Sequence, residues 1–300
     1  MTYDDAGSGR RTARRHDRQE GCLDRPRDPL PTRVEALADL PSSYEDALDA
    51  GLTALGIDLA PAARAAIDDH VRLLLAWNQA INLTAVRDPA AMAVRHVADS
   101  LAAVDIVRSL RVDRFLDIGS GAGFPAIPLA VAVPPSEIAL VESVGKKARF
   151  LDAALEVVGE RLAGTARWRT IGVRAETVAR DPVHRGRWPL VTGRAVASLA
   201  NLVELALPLL EPGGVLLAWK SGDPADPGGF GAEVEAAERA IAALGGDRIM
   251  IDASLGSRDP DSRAGLATIA DHRLVLVGQG RRPIDDRWPR DPATRRRHPW

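Results

Sequence analysis

From about residue 113 onward, apolar runs of strand length alternate with helix-length stretches, and this alternation constrains the fold more than any other feature of the chain. The runs lie near 113–118, 137–142, 166–172, 190–195, 214–219, 247–252 and 272–277, and helices fill the intervals. Such a pattern predicts an α/β fold, a mostly parallel sheet with helices on both faces and its ligand site beyond the carboxyl ends of the strands. Upstream, residues 43–110 read as an all-helical segment. His70, Leu73, Leu74 and Trp77 fall at the i, i+3, i+4, i+7 spacing of one buried helix face. Asp88-Pro89 reads as a helix start, with Asp88 as N-cap and Pro89 in the first turn.

The first strand runs into Asp117-Ile118-Gly119-Ser120-Gly121-Ala122-Gly123-Phe124-Pro125, with a glycine at every second position. That spacing lets backbone turn sharply and approach a ligand closely, and it predicts a nucleotide-like cofactor held before a helix that starts near Pro125. Two classes share such a loop: dinucleotide oxidoreductases and enzymes that use S-adenosylmethionine. Residues 121–126 match the dinucleotide pattern G-x-G-x-x-G/A. Asp117 argues the other way, because a carboxylate there can hydrogen-bond the loop or meet a cationic amino-acid end, whereas a pyrophosphate gains little from a nearby anion. Pro125 removes a backbone N–H from the first helical turn and so weakens a phosphate cradle. Glu142, at the end of the second strand, suits the hydroxyls of a ribose and fits both classes.

The formal net charge of −2 points to no strongly charged partner, and the single cysteine, Cys22, supplies neither an intrachain disulfide nor a metal cluster. No apolar run approaches the roughly 18 residues a membrane helix needs, so the expectation is a cytoplasmic protein without a membrane span. Only Lys146, Lys147 and Lys220 are lysines among 39 basic residues, so a lysine here is a stronger hint of nucleic-acid contact than an arginine. Residues 1–42 are rich in Arg, Asp, Pro and Gly without hydrophobic period and are expected to be disordered. The sheet domain is expected over 111–280. Residues 281–300 form a basic tail with seven arginines, three aspartates, Trp288 and Trp300, either a solvated tail or an RNA-contacting arm.

Several separate segments together resemble the RsmG family, also known as glucose-inhibited division protein B. They are Trp77-Asn78-Gln79-Ala80-Ile81-Asn82-Leu83-Thr84, Arg87-Asp88-Pro89, Arg95-His96-Val97-Ala98-Asp99-Ser100-Leu101, the glycine loop, and Glu142-Ser143-Val144-Gly145-Lys146-Lys147. Arg174-Ala175-Glu176, Arg194-Ala195-Val196-Ala197-Ser198-Leu199 and Trp219-Lys220 continue the series. The resemblance covers roughly residues 60 to 222. It departs from the family at Ala126, where a glycine is usual, and at Pro189, where an acidic residue is common.

This resemblance implies a Rossmann-like S-adenosylmethionine-dependent methyltransferase sheet with an N-terminal helical segment. It implies methylation of N7 of one guanine in 16S small-subunit ribosomal RNA, on naked RNA or a ribosomal subunit; separately, a monomer is expected. Guanine N7 carries a lone pair and no proton, so positioning rather than a general base is expected to supply the rate. By position the resemblance assigns Asp117, Gly119, Gly121 and Phe124 to the methionine end, Glu142 to the ribose, Ala175 and Glu176 to the adenine, and Arg194 to the cofactor as well. Lys146, Lys147, Arg174 and Lys220 are expected to form a basic face for RNA phosphate. Without the family match Arg174-Ala175-Glu176 is a polar turn, and Lys146 and Lys147 are solvated helix residues. Arg95 with Asp99, and His96 with Ser100, stand at i, i+4 and read as helix-surface pairs. Asn82 and Thr84 read as turn residues between helices. A methyltransferase of the same fold with another substrate, an NAD-dependent oxidoreductase and a non-catalytic RNA-binding protein are the competing classes.

Overall fold

All the predicted runs are strands of one sheet: β1 (Arg114–Ile118), β2 (Glu137–Val141), β3 (Trp168–Ile171), β4 (Trp188–Arg194), β5 (Leu210–Ser221), β6 (Ile249–Asp252) and β7 (His272–Gly278). The computed structural model describes residues 30–164, 167–252, 266–267 and 269–300, so the expectation for residues 1–29 lies outside the described residues. The strand order is β3-β2-β1-β4-β5-β7-β6, with β7 antiparallel to both of its neighbours. Strands β1 to β5 pair in parallel in the order of a doubly wound sheet, whose switch point falls between β1 and β4. The fold is thus the predicted Rossmann-like α/β sheet.

Burial explains why the strands read as near-continuous apolar runs. The last four residues of β1 and of β2 are all buried, as a sheet covered on both faces requires. Leu116, Ile118, Ala139, Val141, Leu216 and Ala218 point to one face, where they pack with α8 (Ala175–Arg180), α9 (Leu199–Ala206) and α10 (Phe230–Leu244). The alternate positions, among them Phe115 and Asp117, face the side of α6 (Ala126–Ala132) and α7 (Gly145–Arg161). Pro189 sits where the β4–β5 register shifts between Trp188 and Leu190, a place where a residue without an N–H costs no ladder bond.

The N-terminal helical segment comprises α1 (Ser42–Leu55), α2 (Pro61–Asn78), α3 (Pro89–Met92), a π-helical stretch Ala93–Ala98, α4 (Asp99–Leu101) and α5 (Val104–Leu110). As predicted, Asp88 caps α3, accepting from Ala91 N at 2.7 Å, and His70, Leu73, Leu74 and Trp77 are all buried. This face of α2 meets α7, where Trp77 lies 5.5 Å from the Phe150 ring and Arg161 donates to the buried Asp69 at 2.5 and 2.8 Å. Asn78, rather than Asn82, builds the turn after α2. Its Oδ1 accepts from Leu83 N and Thr84 N at 2.9 and 3.1 Å, and its Nδ2 donates to Thr84 O at 3.1 Å.

Both expected tails carry structure within the described range. Residues 31–41 lie along α2, where Arg72 donates to the carbonyls of Val34, Leu37 and Ala38, and Trp77 Nε1 donates to Pro31 O. Their carbonyls substitute for the periodic apolar side chains that this stretch lacks. At the other end residues 284–300 fold back onto α8 and α9, with a short helix α11 (Pro292–Arg297) capped by Asp291. The buried carboxylate of Glu204 on α9 holds this arm, pairing with Arg290 at 2.7 Å and accepting from Trp300 Nε1 at 2.7 Å. Arg185 donates to the carbonyls of Ile284 and Trp288, and Trp288 itself is buried. No helix among the described residues is long and apolar enough to cross a membrane.

Candidate active site

The glycine loop leaves β1 at its carboxyl end, beside the switch point of the sheet. Gly119 has φ +68°, and a Cβ there would stand 2.8 Å from Val196 Cγ2, so the position admits only glycine. Gly121 has φ +54°, a Cβ there would make only an ordinary contact with Gly119 O at 3.7 Å, and its N–H is given to Glu142 Oε2 at 3.1 Å. The other oxygen of Glu142 accepts from Val144 N at 2.8 Å. The loop is therefore tied to the end of β2 by a carboxylate, and the N–H that a pyrophosphate would need is already taken. Helix α6 begins immediately after Pro125, as the sequence predicts.

Beneath the loop, Asp117 is completely buried, and the β1–β4 register sets Thr192 directly beside it. Thr192 Oγ1 donates to Asp117 Oδ1 at 2.6 Å, while Oδ2 has no partner. Burial pushes this carboxyl up to about 7. An unpartnered buried carboxylate oxygen costs roughly 1–3 kcal/mol or more, and a cationic ligand group is the chemistry that would relieve it.

Beyond the ends of β1, β2 and β3 lies a cavity of about 560 Å³, lined by Gly119, Glu142, Arg174, Ala175, Glu176 and Asn201 among others. Its size suits a nucleoside-sized ligand. Four of the eight residues assigned to the cofactor, Gly119, Glu142, Ala175 and Glu176, thus meet around one space. The C-terminal arm supplies a wall that the sequence reading does not contain, through Pro292, Arg295, Arg296 and Pro299.

Phe124 and Arg194 belong to a second centre beside the glycine loop. The Phe124 ring stacks on His96 with centroids 4.9 Å apart, and the Arg194 guanidinium lies 5.5 Å from the ring on the way to Asp99. Asp99, fully buried, pairs with Arg194 Nη1 at 2.8 Å and with His272 Nδ1 at 2.7 Å. The expected Arg95–Asp99 surface pair is replaced by this network, because the π-helical stretch turns Asp99 inward to the sheet. His96 likewise points inward, to Thr84 Oγ1 at 2.7 Å and to Arg194 at 3.1 Å. Burial, followed by the Arg194 charge, pushes His96 down to about 4, so its ring is neutral near pH 7. His70 Nε2 donates to Ala122 O at 2.8 Å and ties α2 to the glycine loop. Sequence reasoning missed Thr192, which the register places opposite Asp117, and His272, which lies far away in the chain on β7.

The four basic residues expected to face RNA separate. Lys146 and Arg174 are exposed and Lys147 is half-buried; Arg174 lines the cavity, and the two lysines stand in the first turn of α7, just after the lining residue Ser143. Lys220 is different. It donates to Ala197 O at 2.9 Å and pairs with Glu233, so its charge is spent inside the protein on the α9–α10 side. It does not join the other three.

The family GidB, rRNA small subunit methyltransferase G, matches residues 63–256. Ribosomal RNA small subunit methyltransferase G of Symbiobacterium thermophilum is 38% identical over 68% of this chain and 81% of that protein. The protein of the same name from Chloroflexus aggregans is 44% identical over 65% and 77%, and that from a Roseiflexus species is 41% identical over 70% and 87%. The matched span holds the glycine loop, Glu142, Glu176 and the Asp99–Arg194 pair, and with them the chain belongs to the GidB family, rRNA small subunit methyltransferase G.

Proposed function

We propose that this chain transfers a methyl group from S-adenosylmethionine to N7 of one guanine in 16S small-subunit ribosomal RNA, acting as a monomer in the cytoplasm. The observation that carries the reading is the convergence of three carboxylates at the strand ends. Glu142 and Glu176 line one cavity, and Asp117 lies buried beneath the loop with an oxygen unpaired. A nucleoside with a cationic amino-acid end matches this set, whereas a dinucleotide pyrophosphate would meet anions and a loop N–H already bonded to Glu142.

In this reading Asp117 takes the ammonium of the methionine end, with Gly119, Gly121 and Phe124 shaping the loop around it. Glu142 keeps lone pairs for the ribose hydroxyls after accepting from Gly121 and Val144. Ala175 and Glu176 meet the adenine. Arg194, held by Asp99 and His96, flanks the reacting end, where its planar donors suit a phosphate or the guanine O6. Bound S-adenosylmethionine supplies a methyl group on a positively charged sulfur. The chain has to hold the base in line and exclude water, and no side chain has to remove a proton, since N7 presents a lone pair. His96, pushed down to about 4 by burial, is a poor base, which agrees with that demand. Lys146, Lys147 and Arg174 would meet RNA phosphates around the mouth, with the guanine reaching the pocket from an unstacked state.

The test is a map of N7-methylguanine in small-subunit RNA from cells with and without the gene. Loss of one modified position on deletion, restored by the wild-type gene and not by Asp117→Asn, is the expected result. An identical map in both strains would defeat the substrate assignment.

A further inference from the structure

We infer that the C-terminal arm is part of the cofactor pocket, and that Arg295 is a positioning residue that selects adenine by fixing the carboxylate of Glu176. The inference rests on the proposed S-adenosylmethionine site and adds to it a wall that comes from the far end of the chain. Arg295 Nη2 donates to Glu176 Oε1. The two side chains are only 11% and 14% exposed, so the pair is shielded by the arm and the cavity wall rather than lying in open solvent. One oxygen of Glu176 is thereby committed, and the other remains to accept from a ligand.

A second acceptor meets the same space. Asn201 lines the cavity, and with its Nδ2 donating to Ser198 Oγ at 2.9 Å its buried Oδ1 has no partner. Two acceptors on one cavity call for a ligand edge that presents N–H groups. The 6-amino group of adenine presents two, whereas hypoxanthine puts an acceptor at position 6 and keeps a single N–H, at N1. A site built to accept hydrogen bonds rejects the analogue that lacks the donor, because its buried acceptors are then left unpaired.

The arm can hold Arg295 in place because it is anchored independently of the ligand. Arg290 and Trp300 bond Glu204 on either side of α11, and Arg180 donates to Pro289 O at 2.5 Å. The pair spans 119 positions in the chain, from α8 to α11. Without the guanidinium, the Glu176 side chain would recover its rotamer freedom at the cavity mouth and lose its fixed aim.

The test measures calorimetric affinities of the full chain for S-adenosylhomocysteine and for its 6-oxo analogue, S-inosylhomocysteine. Wild type should prefer the adenine compound. Arg295→Ala should weaken that compound about tenfold and leave the 6-oxo analogue within about twofold, so that discrimination collapses. Arg295→Lys should recover most of the preference, and Arg297→Ala, an exposed neighbour with the same change of charge, should behave as wild type. Glu176→Gln should lower the preference, and adding Arg295→Ala to it should cause little further loss. Unchanged or tighter binding by Arg295→Ala, or equal weakening of both ligands, overturns the inference. Failure of the wild-type chain to bind S-adenosylhomocysteine would overturn the cofactor assignment itself.

Discussion

The two walls of the cavity are built in opposite ways. The glycine-loop wall is largely local: Ile118, Gly119 and Val141, Glu142 and Ser143 form it, with Gly121 bonded to Glu142 only 21 positions away. The arm wall is held by pairs 86, 96 and 119 positions apart, Arg290 and Trp300 with Glu204, and Arg295 with Glu176. At Gly119 the first wall leaves no room for a side chain, and the second is held because a buried carboxylate has to be satisfied. Close packing therefore shapes one side of the cavity, and long-range charge pairing the other.

The largest expected effect tests the local wall. Gly119→Val forces a side chain into a left-handed position against Val196 and should destabilise the fold by about 3 kcal/mol, with loss of cofactor binding. Urea unfolding measures it, and wild-type stability would show that the loop yields. Next, Asp117→Asn should weaken S-adenosylhomocysteine about a hundredfold, or about 2.7 kcal/mol, by removing the partner proposed for the ligand ammonium. The same residue gives a pH signature. Its folded value, about 7, lies above the ordinary carboxyl range, so its contribution to stability is complete below about pH 4 and is lost as pH rises to about 7. Binding a cation favours the ionised form, so ligand binding at pH 6 should release protons, detected by calorimetry in buffers of different ionisation enthalpy. Asp117→Asn should abolish that release.

The smallest effect tests the arm. Glu204→Gln leaves Arg290, 19% exposed, without its charge partner and should cost about 2 kcal/mol, less than a fully buried pair because water still reaches the guanidinium. The arm should then be cut faster by trypsin at Arg295–Arg297, and ligand affinity should fall only a few-fold. Equal protease resistance would mean that the tryptophan packing alone holds the arm.

The strands, the glycine loop, the Asp88 cap and the buried face of α2 were legible because each is a short-range pattern, repeating every two or every three to four residues. The carboxylates of Asp117 and Glu142 were legible for the same reason, since strand ends fix where they point. Asp99 misled because its i, i+4 neighbour Arg95 suggested a surface pair, whereas the π-helical stretch turned it toward Arg194 and His272. Lys220 misled because a lysine at a strand end looks free until α10 brings Glu233 against it. The arginine-rich terminus looked solvated because nothing nearby in sequence reveals the buried Glu204 that receives it.

By itself, the amino-acid sequence determined the α/β sheet, the glycine loop and the family, since hydrophobic period, backbone freedom at glycine and motif spacing act over a few residues. The tertiary structure decided which charges are spent and which are free. Lys220 is consumed by Glu233, Arg194 is locked by Asp99, and the arm closes the cavity through Arg295. The reason is physical. Pairing energy depends on distance and burial between groups, and residues from distant parts of the chain acquire both only when the chain is packed.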